Sequence, residues 1–530
     1  MNESLLADAV LLQRRGDRAA AEALVRKVLQ SQPKNLIALN LLSTLTADRG
    51  NLTEALRLAK RATALAPDEP AHWYHQSNLL ILMGATTQAV TCLDRALALQ
   101  PDDAATLINR ASLLSGLKRP AEALESLDRA LALEPDSMAG LANRALVLLD
   151  LRRPLDALET VERGLAAHPN DAVLHNRLGM VLAALDRHQE AVAAFDRSLA
   201  LDPRDAHTLN SLGASLHALG RAQEAVNDYE KAVSIEPGDP WLHWNLGLCR
   251  LLTGEYARAW PDYEWRLKAR PMPRFDRPLW QGEPLRGRTL LLHTEQGLGD
   301  IIQFCRYAPL IEGGRVILQA PEVLLGLLRS LSPSVAVVSA TVRPPRFDLH
   351  CPLLSLPARF GSTLADLPRT VPYLSVPGPV PTGEGRRIGI CWQGNPDVRI
   401  DPERSVPLRF FAPLAEVPGV RLISLQKGFG TEQLTGVPWV ETVALDTFED
   451  TARQILSMDL TITSDTAIAH LAGALGRSVW LATSFVPDWR WGLSGESCPW
   501  YPTMRLFRQR RRGDWAGVFA EMAAALRRPD

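Results

Sequence analysis

Proline recurs at residues 33, 67, 101, 135, 169, 203, 237 and 271, every interval being 34 residues with no insertion. The chain has 38 prolines in 530 residues, so seven further prolines in register would arise by chance at about 10⁻⁸. Alanine keeps the same period at 55, 89, 123, 157, 191, 225 and 259, and Gly179, Gly213 and Gly247 share one phase. In the unit opened by Pro203, Leu209, Leu212 and Leu216 recur at helical spacing and Gly220 breaks the helix. Ala225, Tyr229 and Ala232 then line one face of a second helix, and the small Ala225 lets the two helices approach closely. The next proline ends that helix, because it has no backbone N–H to give to the helix interior. A single unit of this kind cannot bury its own apolar face, so the units must stack.

The pattern resembles the tetratricopeptide repeat over residues 1–270, with seven repeats from Pro33 and a shorter capping helical pair at 1–32. In such an array the first helices are expected to line a concave face. The position eight residues after each proline carries His75, Asn109, Asn143, Arg177, Ser211 and Asn245, preceded by Leu41. An amide donates to a carbonyl and accepts from an N–H, so a row of asparagines can hold an extended peptide of any sequence. In protein O-GlcNAc transferases, which also carry such repeats, asparagines at this position do so. Here three of the seven positions are Asn. The row reads either as a protein- or peptide-binding groove or as a solvated one.

A formal net charge of −1 argues against a nucleic-acid protein that works by bulk electrostatics. No run approaches the roughly 18 apolar residues of a membrane span. Glu3 and Asp8 stand where a secretory signal would carry positive charge. The six cysteines (92, 249, 305, 351, 391 and 498) form no C-x-x-C pair and read as reduced thiols, so a cytoplasmic location is expected.

The second half has a different character. Twelve of the thirteen tryptophans lie from Trp241 onward, and the repeat clock stops at Pro271. Residues 271–288, rich in Pro and Arg, read as a linker. Strands are expected at 289–294, 315–320, 335–339, 387–392, 421–426, 460–464 and 478–483. Helices are expected at 300–311, 320–330, 448–457 and 466–475. This alternation predicts parallel sheets. The sparse stretch 371–385 separates two lobes, 289–380 and 381–530, and two such lobes facing across a cleft suit a protein that holds two substrates.

Three loops carry the candidate chemistry. His293–Asp300 contains Gln296, Gly297 and Gly299, and Asp300 stands where a helix starts, able to cap it. The polar loop 392–408 contains Arg399 and Arg404, and Lys427 stands at a strand end. In the tract 463–476, Asp465 and Thr466 open a helix, with His470 one turn on. Trp489, Trp491 and Trp500 could stack a nucleobase or form core. Arg508, Arg510, Arg511 and Arg512 could draw an anion or lie on a solvated face.

Seven tokens in order, at 295–310, 347–357, 404–408, 424–428, 464–480, 486–493 and 499–509, resemble the family 9 glycosyltransferases, which include the lipopolysaccharide heptosyltransferases. The whole chain resembles bacterial tetratricopeptide-repeat glycosyltransferases. The resemblance implies a GT-B fold of two Rossmann-like lobes, the first one short, and an inverting transfer of sugar from a nucleotide-sugar donor. It implies Asp300 as general base, and Arg404 at the position of the family's phosphate-binding lysine. Asp465, Thr466, Ala467 and His470 match the donor tract, with Ala467 where the family usually has Gly. No D-x-D occurs between 280 and 530, so the nucleotide-sugar is expected to act as co-substrate with no metal and no other cofactor. The acceptor is expected to be a protein or peptide presented by the repeats, with a glycan acceptor or a non-catalytic scaffold as alternatives.

Overall fold

The computed structural model describes residues 2–396 and 404–528. Contacts divide the chain into two compact units, Met1–Leu212 and Gly213–Asp530.

The first unit is helical. It contains α1 (Asn2–Arg14), α2 (Arg18–Ser31), α3 (Leu36–Asp48), α4 (Leu52–Leu65), α5 (Pro70–Leu82), α6 (Thr86–Leu99), α7 (Ala104–Gly116), α8 (Pro120–Leu133), α9 (Met138–Asp150), α10 (Pro154–Ala167), α11 (Ala172–Ala184) and α12 (His188–Leu201). Each clocked proline from Pro33 to Pro237 lies in the turn between the second helix of one pair and the first of the next, where its missing donor costs nothing. Each clocked alanine has no exposed surface, so a larger side chain there would push two helices apart. The turn inside each pair needs one residue in the left-handed region. Gly16, Gly50 and Gly84 supply it first, and Lys118, Arg152 and Asp186 are held there at φ 60, 60 and 64°. Arginines on the second helices hold the turn that opens their own repeat, and arginines on the first helices reach back to the preceding pair. Arg61 donates to the Pro33 carbonyl at 2.7 Å and Arg129 to that of Pro101 at 3.0 Å. Arg110 bridges Asp94 and Ser126, and Arg144 bridges Asp128 and Thr160 in the same way one repeat later.

The divide between the units falls within α13 (Ala206–Ala218). The second unit continues with α14 (Ala222–Ile235), α15 (Pro240–Leu252) and α16 (Tyr256–Tyr263), followed by a short turn of helix at Arg266–Ala269. The clock persists here, but the partners change. A Cβ on Gly213 would lie 2.9 Å from the Tyr229 ring, whereas one on Gly247 would lie 2.5 Å from the backbone nitrogen of Tyr263.

Two parallel sheets follow. The first contains β1 (Thr289–His293), β2 (Arg315–Ala320), β3 (Val335–Ser339) and β4 (Leu349–Pro352) in the order β3-β2-β1-β4. The second contains β5 (Arg386–Cys391), β6 (Val420–Ser424), β7 (Val440–Thr442), β8 (Leu460–Thr463), β9 (Val479–Thr483) and β10 (Met504–Arg508) in the order β10-β9-β8-β5-β6-β7. Counted within its own sheet the second order is 3-2-1-4-5-6, that of doubly wound dinucleotide-binding folds, and the first sheet is its 3-2-1-4 part. In register, β1 meets β4 from Leu290↔Leu349 to His293↔Pro352, and β5 meets β8 from Ile388↔Leu460 to Cys391↔Thr463. Ile388, Ile390, Trp392, Phe411 and Phe519 fill one side of the second sheet with no exposed surface.

All seven expected strands are present. Short β4 and β7, and β10 beyond the Trp cluster, lacked an apolar run long enough to mark them. Residues 271–288 are not a free tether, because Leu279 pairs in parallel with His350 and both Trp280 and Leu285 are buried. The helix expected over 300–311 is an α-helix at Leu298–Phe304 that tightens into 3₁₀ turns over Cys305–Leu310, where Pro309 removes a donor.

Candidate functional site at the carboxyl ends of the two sheets

In an open parallel sheet, the loops on either side of the strand-order reversal diverge and leave a crevice at the carboxyl ends. Here the reversals lie between β1 and β4 and between β5 and β8. The Gly-rich loop follows β1, Trp392 and its loop follow β5, and Asp465 and Thr466 follow β8. Arg399 lies outside the described residues.

The two crevices meet. The helix at Leu298–Phe304 packs on the helix at Ala467–Ala474 so closely that a Cβ on Gly299 would sit 2.8 Å from His470 Cδ2 and 3.5 Å from the Ala467 Cα. Gly299 therefore permits the contact, and Ala467 forms its other side. Gln296 is half-buried and Gly297 exposed at the loop tip. The Gly297 N–H donates to Asp300 Oδ2 at 2.9 Å. Asp300 thus back-caps its own helix while its side chain keeps 20% exposure. Its second oxygen, Oδ1, is paired with Arg490.

Arg490 was not singled out as a functional residue from the sequence, although it stands inside the token at 486–493. It is buried in a short 3₁₀ turn, Trp489–Trp491. Besides Asp300, it donates through Nε to Gln303 at 2.6 Å and through Nη1 to Asp488 at 2.8 Å, and its guanidinium lies 4.6 Å from the Trp489 ring centre. The only available signal was an arginine among tryptophans, which reads equally well as packing.

Burial raises the Asp300 carboxyl above its ordinary value. Arg490, the Gly297 N–H and Arg404 pull it down, and Asp488 pushes it up. Burial likewise raises Asp465, with Asp488 adding to the effect, while a hydrogen bond from Trp491 and the charges of Arg404 and Arg490 oppose it. Burial drives the His470 imidazole well below its usual range, and Arg490, Arg306 and Arg404 push the same way, so the ring is neutral. Its Nδ1 is 3.0 Å from the Tyr501 hydroxyl and its ring stacks on Trp491. Thr466 is the N-cap of its helix without a side-chain cap bond, and its hydroxyl faces that of Thr463 at 3.0 Å. Arg404 is half-buried, and its charge acts on all three of Asp300, Asp465 and His470.

Other sequence candidates lie elsewhere or are occupied. Lys427 donates to the Asp446 carbonyl at 2.6 Å. Trp489, Trp491 and Trp500 are buried core, packed on Phe304, Tyr256, Trp260 and His470. Arg508 is a structural clamp that donates to the carbonyls of Trp491, Gly492, Ser494 and Gly495, while Arg510 is 84% exposed. All six cysteines are buried free thiols.

The groove row is largely engaged within the protein. His75 faces Ser43 Oγ at 2.9 Å, Asn109 donates to the Tyr74 hydroxyl at 2.6 Å, Arg177 donates to Asn176 and Ser211 bonds back to its own helix. Asn143 is half-buried in α9, and Asn245 lies in α15 of the second unit. In Asn109 one amide N–H goes to Tyr74, which leaves its second N–H and its carbonyl oxygen for another partner.

Residues 6–70 and 77–137 match one tetratricopeptide-repeat family model, and residues 170–237 match another. The repeats are tetratricopeptide repeats. They form an α-helical solenoid ahead of a domain with parallel sheets. Protein FlbA of Caulobacter vibrioides is 27% identical over 300 residues, 48% of this chain and 49% of that protein. The chain thus spans about half the length of the curated relative it matches. A tetratricopeptide repeat protein from Parabacteroides merdae aligns at 19% identity and a TM-score of 0.42, covering 47% of this chain and 98% of its own. A thermophilic TPR protein of Thermus thermophilus aligns at 25% identity and a TM-score of 0.33, covering 34% and 100%. Among the described residues, no helix is long and apolar enough to cross a membrane.

Proposed function

We propose that the parallel-sheet domain is an inverting, metal-independent glycosyltransferase of GT-B type, and that the tetratricopeptide repeats bind its protein or peptide acceptor. The observation that carries this reading is the meeting of two switch-point crevices, one bearing Asp300 and the other Asp465, Thr466 and His470, with two arginines beside them. The nucleotide-sugar lies against the second sheet. Arg404 and the N-terminus of the helix at Ala467–Ala474 face its diphosphate. Asp300 accepts the proton of the acceptor hydroxyl as that oxygen bonds to the sugar C1. The C1–O bond to phosphate breaks, and the charge leaves on the nucleoside diphosphate. Neutral His470 and Thr466 offer hydrogen bonds without adding charge.

The test is a thermal-shift screen of the whole protein against nucleoside diphosphates and their sugars, without added metal. A ligand at 100 times its Kd adds about 2.7 kcal/mol. Arg404→Ala should abolish most of the shift, since a hydrogen bond to a charged group is worth about 1.5–3 kcal/mol. No shift with any nucleotide would transfer the weight to a second reading, a protein-interaction scaffold. That reading is favoured by a different observation, namely that the matches to family models fall on the repeats.

A further inference from the structure

Arg490 does more than pack. It comes from the loop after β9, yet it grips a carboxylate on the first sheet's Gly-rich loop, and each of its three guanidinium nitrogens is committed: Nε to Gln303, Nη1 to Asp488 and Nη2 to Asp300. Its side chain is 8% exposed and lies against the Trp489 and Phe304 rings. A cation so held cannot follow a moving partner, so the partner is held instead. Asp300 is fixed at both oxygens, at Oδ1 by Arg490 and at Oδ2 by the Gly297 N–H. Each carboxylate oxygen can accept more than one hydrogen bond, so a lone pair remains to take a proton.

We infer that Arg490 is the positioning residue of the transfer reaction: it orients the Asp300 carboxylate across the junction of the two sheets and keeps it ionised and ready to accept a proton. The inference rests on the transferase reading for its chemistry and on the direct Arg490–Asp300 pairing for the ionisation. The charges facing Asp300 are of both signs. Arg490 and Arg404 favour the carboxylate, Asp488 and Glu295 disfavour it, the Tyr263 hydroxyl lies within range, and the neighbouring His470 is neutral. Burial pushes the group toward the protonated acid, which cannot act as a base. Arg490 is the cation in direct contact, so removing it should tip the balance.

The experiment follows the Asp300 carboxyl by NMR in full-length protein with isotope-labelled aspartate carboxyls, assigned by its loss in Asp300→Asn. Transfer is measured across pH in parallel. Arg490→Gln should raise the Asp300 titration point by about 1–3 units and move the acid limb of the kcat/KM profile up with it. Arg490→Lys should restore most of the titration point but not kcat, because an ammonium keeps the charge and loses the planar fork. Asp488→Asn removes the opposing charge and should shift Asp300 downward, while Arg490→Lys, which keeps a cation at the site, decides the matter if Arg490→Gln fails to fold. An Asp300 titration unmoved by Arg490→Gln, or, should that variant not fold, an Arg490→Lys variant with wild-type kcat, would overturn the inference. Absence of transfer in the wild-type protein, with the titration shifting as described, would instead overturn the transferase reading and leave Arg490's hold on Asp300 standing.

Discussion

The first unit and the parallel-sheet unit hold charge in opposite ways. In the first, arginines sit at the surface beside carboxylates three residues away, as in Arg119–Glu122 and Arg187–Glu190, and the partners' carboxyls are held below their ordinary range by those hydrogen bonds. In the second, Glu295, Asp300 and Asp465 are raised by burial although arginines touch or flank them. Repetition produces the first arrangement, because the starts of α8 and α12 reuse the same cheap, local, solvated pair. The second arrangement is a convergence of loops from distant strands. Buried charges are costly to bring together, and on the reading proposed above that cost is met for the sake of the transfer chemistry.

The sharpest break in this comparison is expected at Asp300. Asp300→Asn should lower transfer by about 10²–10⁴ while leaving nucleotide-induced thermal shifts and hydrogen exchange in α3–α10 unchanged. Full turnover in that variant would remove Asp300 as the base.

The pH dependence should differ in sign between the units. Burial, opposed by Arg266, leaves Glu295 at about 7, up from 4.5. A raised carboxyl contributes stability that is complete below about pH 4.5 and lost as pH rises through about 7, on the order of 3 kcal/mol. Glu54, Glu122 and Glu190 are lowered, so their contribution is present above pH 4.5 and lost on acidification. Peptide-resolved hydrogen exchange between pH 4.5 and 7.5, corrected for intrinsic rates, should show protection around 290–300 falling with pH and that around α4, α8 and α12 holding or rising. Glu295→Gln should flatten the first trend only.

Gly179 and Gly247 hold the same position in the clock but face different neighbours. A Cβ on Gly179 would meet the Phe195 ring at 2.5 Å, and one on Gly247 would meet the backbone of Tyr263 at the same distance. A ring can swing and a backbone cannot. Gly247→Ala should cost about 3 kcal/mol or more and Gly179→Ala about 1–2, read from urea denaturation. Equal costs would mean that the repeat at α15–α16 packs like any other.

The smallest effect should be a gain. Lys118 and Arg152 occupy a left-handed position where other repeats have glycine. Lys118→Gly and Arg152→Gly should each stabilise the first unit by about 0.5–1 kcal/mol, whereas Gly84→Ala should destabilise it.

Much of this was legible in the sequence because its causes are local and periodic. A proline every 34 residues and an alanine in phase each have one physical meaning, and the structure repeats it. Seven strands were legible because each is a continuous apolar run. The short β4 and β7 were not, since a strand of three or four residues is defined by its neighbours. The site was half legible. Gly299 and Asp300 stand out in a turn before a helix, and Asp465 and Thr466 before another. Arg490 does not, because nothing local distinguishes an arginine that packs from one that crosses to another sheet. The peptide row was legible only as polarity, because the sequence does not show that His75 also meets Ser43 and Asn109 also meets Tyr74.

The sequence by itself therefore determined the repeat, its length, its turns and the alternation of strand and helix, all of which are set by backbone conformation and burial within a few residues. Only the tertiary structure decided which carboxylate meets which guanidinium, which polar side chains remain available and where the last repeats belong. Those outcomes depend on contacts between residues far apart in the chain, 190 positions in the case of Arg490 and Asp300, and on the desolvation that sets their charge once they meet.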